Sequence, residues 1–310
     1  MNSYFFYGTS PVASVIISVA LMLFSGFLMT RITKLLRLPN ETAYIVAGIL
    51  IGPYCLDLVP QRIIDGTDFL SDIALAFIAF STGEFFKLSV LKKSGMRVVW
   101  ITLFEAVLAS VFVFILTYFM LRLELAFSIV LAALASATAP ASTMMTIRQT
   151  GAKGDFVDTL LQVVALDDVV GLVLYSVAIS VALASLGGSG GCSFETLVKP
   201  VLLNLAALAL GGLFGLVMKL LMPARRSTDN KLIISVALLF AFCGVCALLD
   251  VSPLLGCMAM GTVYTNVAEN DKLFKQLGYF SPPILLLFFV RSGMNFKLDA
   301  LFSASGSLNG

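Results

Sequence analysis

Hydrophobic positions along the chain fall in long runs rather than in alternation. Ten apolar segments can be marked, at 11–29, 42–56, 69–88, 98–120, 125–147, 156–184, 197–221, 231–249, 252–265 and 279–296. Runs of this kind match the roughly 30 Å hydrocarbon layer that a transmembrane helix must cross. The period-two alternation of a membrane barrel is missing, and a segment in lipid must satisfy its own backbone groups, so all ten are predicted as helices. The polar positions between the runs then sort by charge. With the N-terminus outside, the inward connections carry Arg31, Lys34, Arg37, Lys87, Lys92, Lys93, Arg97, Arg148, Lys153, Lys219, Arg225, Arg226, Lys231, Lys272 and Lys275. The outward ones carry Arg62, Arg122, Lys199 and Lys297. That asymmetry obeys the positive-inside rule and predicts a multi-pass protein of the cell (inner or plasma) membrane, with lipid around it and its N-terminus outside.

Composition agrees with this pattern and narrows the chemistry. Of 310 residues, 59% are hydrophobic and 12% charged, with a mean hydropathy of +1.00, more apolar surface than a soluble domain has interior to hold. The net charge of +2 is spread over many short connections, which argues against a nucleic-acid partner. Histidine is absent, removing the usual pH switch and most zinc or haem ligation. No cofactor is expected, and nothing resembles an enzyme's nucleophile or metal centre. Cys243 and Cys246 have the spacing of a redox pair but sit inside LLFAFCGVCALLD, where they read as small packing residues. The stretch LGGSGGCS (186–193) reads as a flexible connector, since no strand precedes it and no GK[ST] follows. No short apolar stretch with a cleavage site precedes the first segment, so the N-terminus is expected to be retained.

The chain also repeats itself. STGEFFKLSVL (81–91) aligns with RSGMNFKLDAL (291–301), matching Gly83, Phe86, Lys87, Leu88 and Leu91 to Gly293, Phe296, Lys297, Leu298 and Leu301, an offset of 293 − 83 = 210. YIVAGILIG aligns with LLGCMAMGTV through Gly48 and Gly261, an offset of 261 − 48 = 213. The third segment runs inward and the tenth outward, so the repeats have inverted topology, as in many secondary transporters. The predicted fold is therefore an all-α polytopic membrane protein. Residues 1–184 form a first six-helix repeat, 185–224 a connector and linker helix, and 225–310 the first three helices of the inverted second repeat. The first copy continues for three more helices, so the repeat predicts a chain cut short, with roughly ninety residues expected beyond Gly310.

Candidate chemistry lies where polar residues interrupt the apolar runs. In VVALDDVVGLVLYS (163–176), Asp167 and Asp168 stand near the midpoint of a segment where each charge costs about 2.5 to 3.5 kcal/mol to insert. Neighbouring helical positions point about 100° apart, so one carboxylate can face an ion path while the other pairs laterally. Burial and a second negative charge are the general means by which carboxylic acids release protons nearer neutral pH, while a bound cation favours the charged form. A carboxylate contested by protons and a cation is the physical basis of exchange. In LAALASATAPASTMMTIRQ (131–149), Pro140 is expected to break the helix, freeing carbonyls that join Ser136, Thr138, Ser142 and Thr143 as oxygen ligands. A merely kinked helix with its hydroxyls bonded back to its own backbone is the alternative. Glu84, Glu105 and Arg291 are secondary candidates, and repeat symmetry points to Glu84 as a partner for Arg291.

With these residues in view the chain resembles the monovalent cation:proton antiporter superfamily, bacterial sodium/proton exchangers in particular. RLPNETAYIVAGILIGP (37–53), FSTGEFFKL (80–88), SATAPAST, ALDDVVGL (165–172) and LLLFFVRSGMNFKL are similar to that family's motifs, in order and over essentially the whole chain. The resemblance implies a homodimer in which a core bundle moves against a dimerisation scaffold, with Na+ and H+ as the transported ions. It implies that Asp168 is the alternating carrier, that Asp168 and Thr138 ligate Na+, and that Asp167 pairs with a basic residue on a later core helix. By that layout the chain holds the whole scaffold and half of the moving core, with the second discontinuous helix missing. Two alternatives stand beside sodium/proton exchange: potassium/proton exchange of the efflux type, and a non-transporting truncated subunit.

Overall fold

A computed structural model describes residues 10–36, 38–89, 95–138, 143, 146–147, 150–185, 194–223, 227–249, 251–268 and 272–296. Among them every regular element is helical. In chain order these are α1 (Pro11–Leu35), α2 (Asn40–Ile51), α3 (Gln61–Gly66), α4 (Phe69–Thr82), α5 (Met96–Phe114), α6 (Leu125–Leu134), α7 (Asp155–Ser185), α8 (Phe194–Leu221), α9 (Thr228–Leu248), α10 (Leu254–Val267), α11 (Lys272–Phe280) and α12 (Pro282–Met294). A 3-10 turn, Gly83–Phe86, continues α4, and a π turn, Ile115–Met120, continues α5. Each of the ten apolar segments contains a helix. By length and composition Pro11–Leu35, Phe69–Phe86, Met96–Met120, Leu202–Leu221 and Thr228–Leu248 can each cross a membrane.

Local sequence explains the helix ends. Ser10 caps α1, its hydroxyl accepting from the Ala13 N–H at 3.2 Å, and Pro11 follows where no N–H is needed. Ser227 caps α9 in the same way through Asn230. Within α1, Thr30 and Thr33 donate back to the carbonyls of Phe27 and Met29, so their hydroxyls are satisfied without water.

The chain divides into two compact units, residues 1–74 with 278–310, and residues 75–277. In the first, Met22, Ala47, Ile51, Val59, Ile63, Ile64, Leu286, Val290 and Met294 form the core, joining α1, α2, α3 and α12. α2 lies so close to α12 that a Cβ on Gly48 would strike the Val290 carbonyl, and one on Gly293 the Ile45 carbonyl. In the second, α8 packs along α10 and the α4 turn packs on α10. Phe80 stacks on Phe274 with ring centroids 5.2 Å apart. Here a Cβ on Gly261 would strike the Phe80 carbonyl, and one on Gly83 would come within 2.6 Å of the Met258 carbonyl. These residues correspond through the repeat: 80 + 210 = 290 and 45 + 213 = 258. The same backbone-to-backbone approach is thus built twice, carbonyl for carbonyl.

Two helices lie outside the apolar pattern or nearly so. α3 is short, and α11 occupies a stretch that hydropathy reads as an inward connection. Leu273, Phe274 and Leu277 are buried on one face of α11 while Tyr279 is 87% exposed. The lysines and glutamine that punctuate this stripe cancel its mean hydropathy, so only its helical periodicity betrays it.

Candidate functional site

The fifth apolar segment is interrupted. α6 runs for ten residues and ends at Leu134. The chain then tightens, with the N–H groups of Ser136 and Ala137 donating to the carbonyls of Ala133 and Leu134 at 3.2 and 3.4 Å. Ala137 and Thr138 are non-helical, and Thr143, Thr146 and Ile147 are helical again. Pro140, the expected cause of the break, lies outside the described residues.

The interruption faces α7. A Cβ on Gly171 would come within 2.9 Å of the Ala137 Cβ, so the absent side chain at 171 is what lets the post-helical stretch settle on α7. Asp167 precedes Gly171 by one turn, on the same face. Its side chain is fully buried, and the Thr138 hydroxyl donates to Asp167 Oδ2 at 2.9 Å. That bond joins two of the residues singled out from the sequence across the break. Ser136, also fully buried, turns its hydroxyl to the Ala133 carbonyl at 2.7 Å, closing the end of α6 instead of reaching Asp167. Thr143 is half-buried. Asp168 follows Asp167 on α7, and its side chain lies outside the described residues.

Of the secondary candidates, Glu84 rides half-buried on the 3-10 turn Gly83–Phe86, which packs against both α7 and α10. Glu105 is half-buried on α5 with its Oε2 shielded from solvent and no hydrogen-bond partner among the described residues. Arg291 corrects the expectation of a Glu84 pair. It pairs with Asp68, donates from Nε to the Ile64 carbonyl at 3.0 Å, and donates from Nη1 to Ser71 at 3.2 Å. The contact crosses more than two hundred residues to the connection between α3 and α4, which no repeat offset points to. Arg291 is 8% exposed and Asp68 78%. Sequence reading also passed over Gln162, a buried amide in the apolar stretch LLQVVALDD whose Oε1 has no partner among the described residues. Its only signal was its isolation.

The geometry gives a buried carboxylate and a hydroxyl at a helix interruption inside an apolar bundle, a donor set suited to a small hard cation. Among the described residues no group of three or more His, Cys, Asp or Glu is arranged to hold a metal ion. Cys243, Cys246 and Cys257 are buried thiols.

Comparison with known proteins gives a consistent picture. The family described as sodium/hydrogen exchanger, transmembrane, matches residues 16–309. A curated relative, the iron transporter MagA of Paramagnetospirillum magneticum, is 26% identical over 305 residues, covering 94% of this chain and 65% of that protein. The chain therefore spans just under two thirds of that relative's length. Among solved structures, an electron-microscopy structure of the sodium proton antiporter MjNhaP1 from Methanocaldococcus jannaschii superposes with a TM-score of 0.72 at 18% identity, over 93% of this chain and 71% of that one. The structure of the same antiporter at pH 8 gives 0.69 at 20% identity, over 95% and 75%. These likenesses establish the helical antiporter fold.

Proposed function

The chain belongs to the sodium/hydrogen exchanger transmembrane family, and on that premise we propose that it exchanges a monovalent cation, sodium first, for protons by alternating access. The observation that carries the reading is the hydrogen bond from Thr138 to the buried Asp167 at the helix interruption. An ionised carboxylate in lipid is costly unless its oxygens are engaged. A cation supplies such engagement, a proton supplies it another way, and one oxygen set cannot hold both at once. Alternate occupancy, presented first to one side and then to the other, is exchange. In this assignment Asp168 alternates between proton and cation, Asp167 and Thr138 hold the local geometry, and Asp168 and Thr138 ligate Na+. The inward-basic loops support an N-terminus outside in a cell membrane, and we assign the homodimer on resemblance to the family.

The test is an imposed pH gradient across vesicles holding the full-length protein, with Na+, Li+, K+ and ferrous iron added in turn. Iron is included because one relative is named for it. Sodium-dependent collapse of the gradient, lost in Asp168→Asn, is the expected result. Exchange retained in that variant would overturn the assignment, and collapse by K+ alone would move the protein to the potassium/proton class.

A further inference from the structure

The third apolar segment ends in an unusual way. α4 stops at Thr82, the backbone tightens into the 3-10 turn Gly83–Phe86, and Lys87 is extended. Such an end leaves carbonyls and the next amide without helical partners. One side chain from α10 takes both sides of the gap: Asn266 Nδ2 donates to the Phe86 carbonyl at 2.9 Å, and Asn266 Oδ1 accepts from the Leu88 N–H at 2.7 Å. The same Nδ2 also donates to the Thr262 carbonyl within α10 at 2.7 Å, which fixes the amide's rotation. The carboxamide therefore imitates a peptide unit and clamps residues 86 and 88 to a helix about 180 residues away in the chain. Five residues before Leu88, Gly83 is pressed against the Met258 carbonyl on the same helix. Glu84 sits between these two fixings, on a turn that also packs against α7.

We propose that Asn266 is a positioning residue for Glu84, holding the turn against α7 so that the carboxyl is presented to the cation on its way to the Asp167 region. The inference rests on the antiport reading for the cation and on geometry for the clamp. The repeat supports a local purpose, because position 266 − 213 = 53 is Pro53, which has no side-chain amide. A clamp needed only to hold the shared glycine crossing would be wanted in both copies. A neutral amide suits the task, since it fills a donor and an acceptor at once without adding a charge that would compete with Glu84.

The test uses the full-length protein in vesicles and four variants, Asn266→Ala, Asn266→Gln, Glu84→Gln and the Glu84→Gln/Asn266→Ala double. Asn266→Ala should raise the apparent KM for the cation about tenfold while the maximal rate stays within about twofold, as expected when a positioned group loses its hydrogen bonds. Asn266→Gln, which keeps both halves of the amide, should recover part of that loss. The double variant should be no worse than Glu84→Gln alone, because both act through one carboxyl. A fall in maximal rate with KM unchanged, or additive losses in the double variant, would overturn the positioning role. Hydrogen exchange at the Leu88 amide reads the clamp without transport: Asn266→Ala should speed it about tenfold or more, the opening of one hydrogen bond. Unchanged exchange there would remove the clamp. A wild-type protein that moves no cation would overturn the antiport reading and the positioning role together, with the amide exchange still deciding the contact.

Discussion

Where α2 crosses α12, Gly48 lies against Gly293; where the end of α4 meets α10, Gly83 lies against Gly261. A Cβ built on Gly48 would stand 3.0 Å from the Gly293 Cα, and one on Gly261 3.3 Å from the Gly83 Cα. The two crossings share their backbone approach and differ in their polar anchors. Beside the first, a cation, Arg291, ties α12 to α3, α4 and the connection between them by reaching Asp68, Ser71 and the Ile64 carbonyl. The second is tied by a neutral amide, Asn266. Each anchor stands where the other copy has something different: Arg291 corresponds to Ser81 (291 − 210), and Asn266 to Pro53. Close packing in a membrane comes from small residues that let backbones touch, and that part of a duplicated design resists change. The anchors are free to diverge, and they do so according to what lies beside them, a solvent-facing acid in one case and a turn carrying Glu84 in the other.

If the crossings are equivalent, enlarging their glycines should hurt both alike. Gly48→Val and Gly261→Val should each cost about 3 kcal/mol or more, because the obstacle is backbone that has no rotamer to yield. Thermal unfolding in detergent measures this, and a large effect at one site with tolerance at the other would break the comparison. Next in size, Arg291→Leu should cost about 2 kcal/mol by leaving the Ile64 carbonyl and Ser71 without their donor, whereas Asp68→Asn should cost under about 1 kcal/mol because that carboxylate is mostly in water. Equal losses from the two would mean that the ion pair, rather than the buried guanidinium, carries the anchor. A smaller effect on stability than at Arg291 is expected at Thr138→Val, about 1 kcal/mol. Its cation KM should rise roughly tenfold and Thr138→Ser should restore it, since it is the hydroxyl that donates to Asp167.

Much of this was legible in the sequence, for identifiable reasons. Apolar runs report helices because lipid allows few alternatives, and the ten segments each hold one. The glycine correspondence was legible because a backbone contact leaves no freedom in residue type. The Thr138–Asp167 bond was foreshadowed by two polar interruptions in neighbouring segments, although spacing could not say that Ser136 would turn back onto its own helix. α11 escaped because an amphipathic helix has an unremarkable mean hydropathy. The partner of Arg291 escaped because repeat symmetry predicts relations between copies, and the positions matching Asp68 (68 + 210 = 278 and 68 + 213 = 281) are Gly278 and Ser281, with no carboxylate to mark it. Asn266 carried no pattern at all, since one amide near the end of an apolar helix is noticed only when the backbone it serves is seen.

The length of α7 has a bearing on the surroundings of the protein. Its 31 residues span about 46 Å, well beyond the roughly 30 Å hydrocarbon layer, so its ends stand in the headgroup zones or the helix leans. Asp167 is twelve residues from Asp155, the start of α7, about 18 Å along the axis. Bilayer thickness therefore sets how far the buried carboxylate lies from either aqueous face, and acyl-chain length becomes a tuning variable for the site without any lipid touching it.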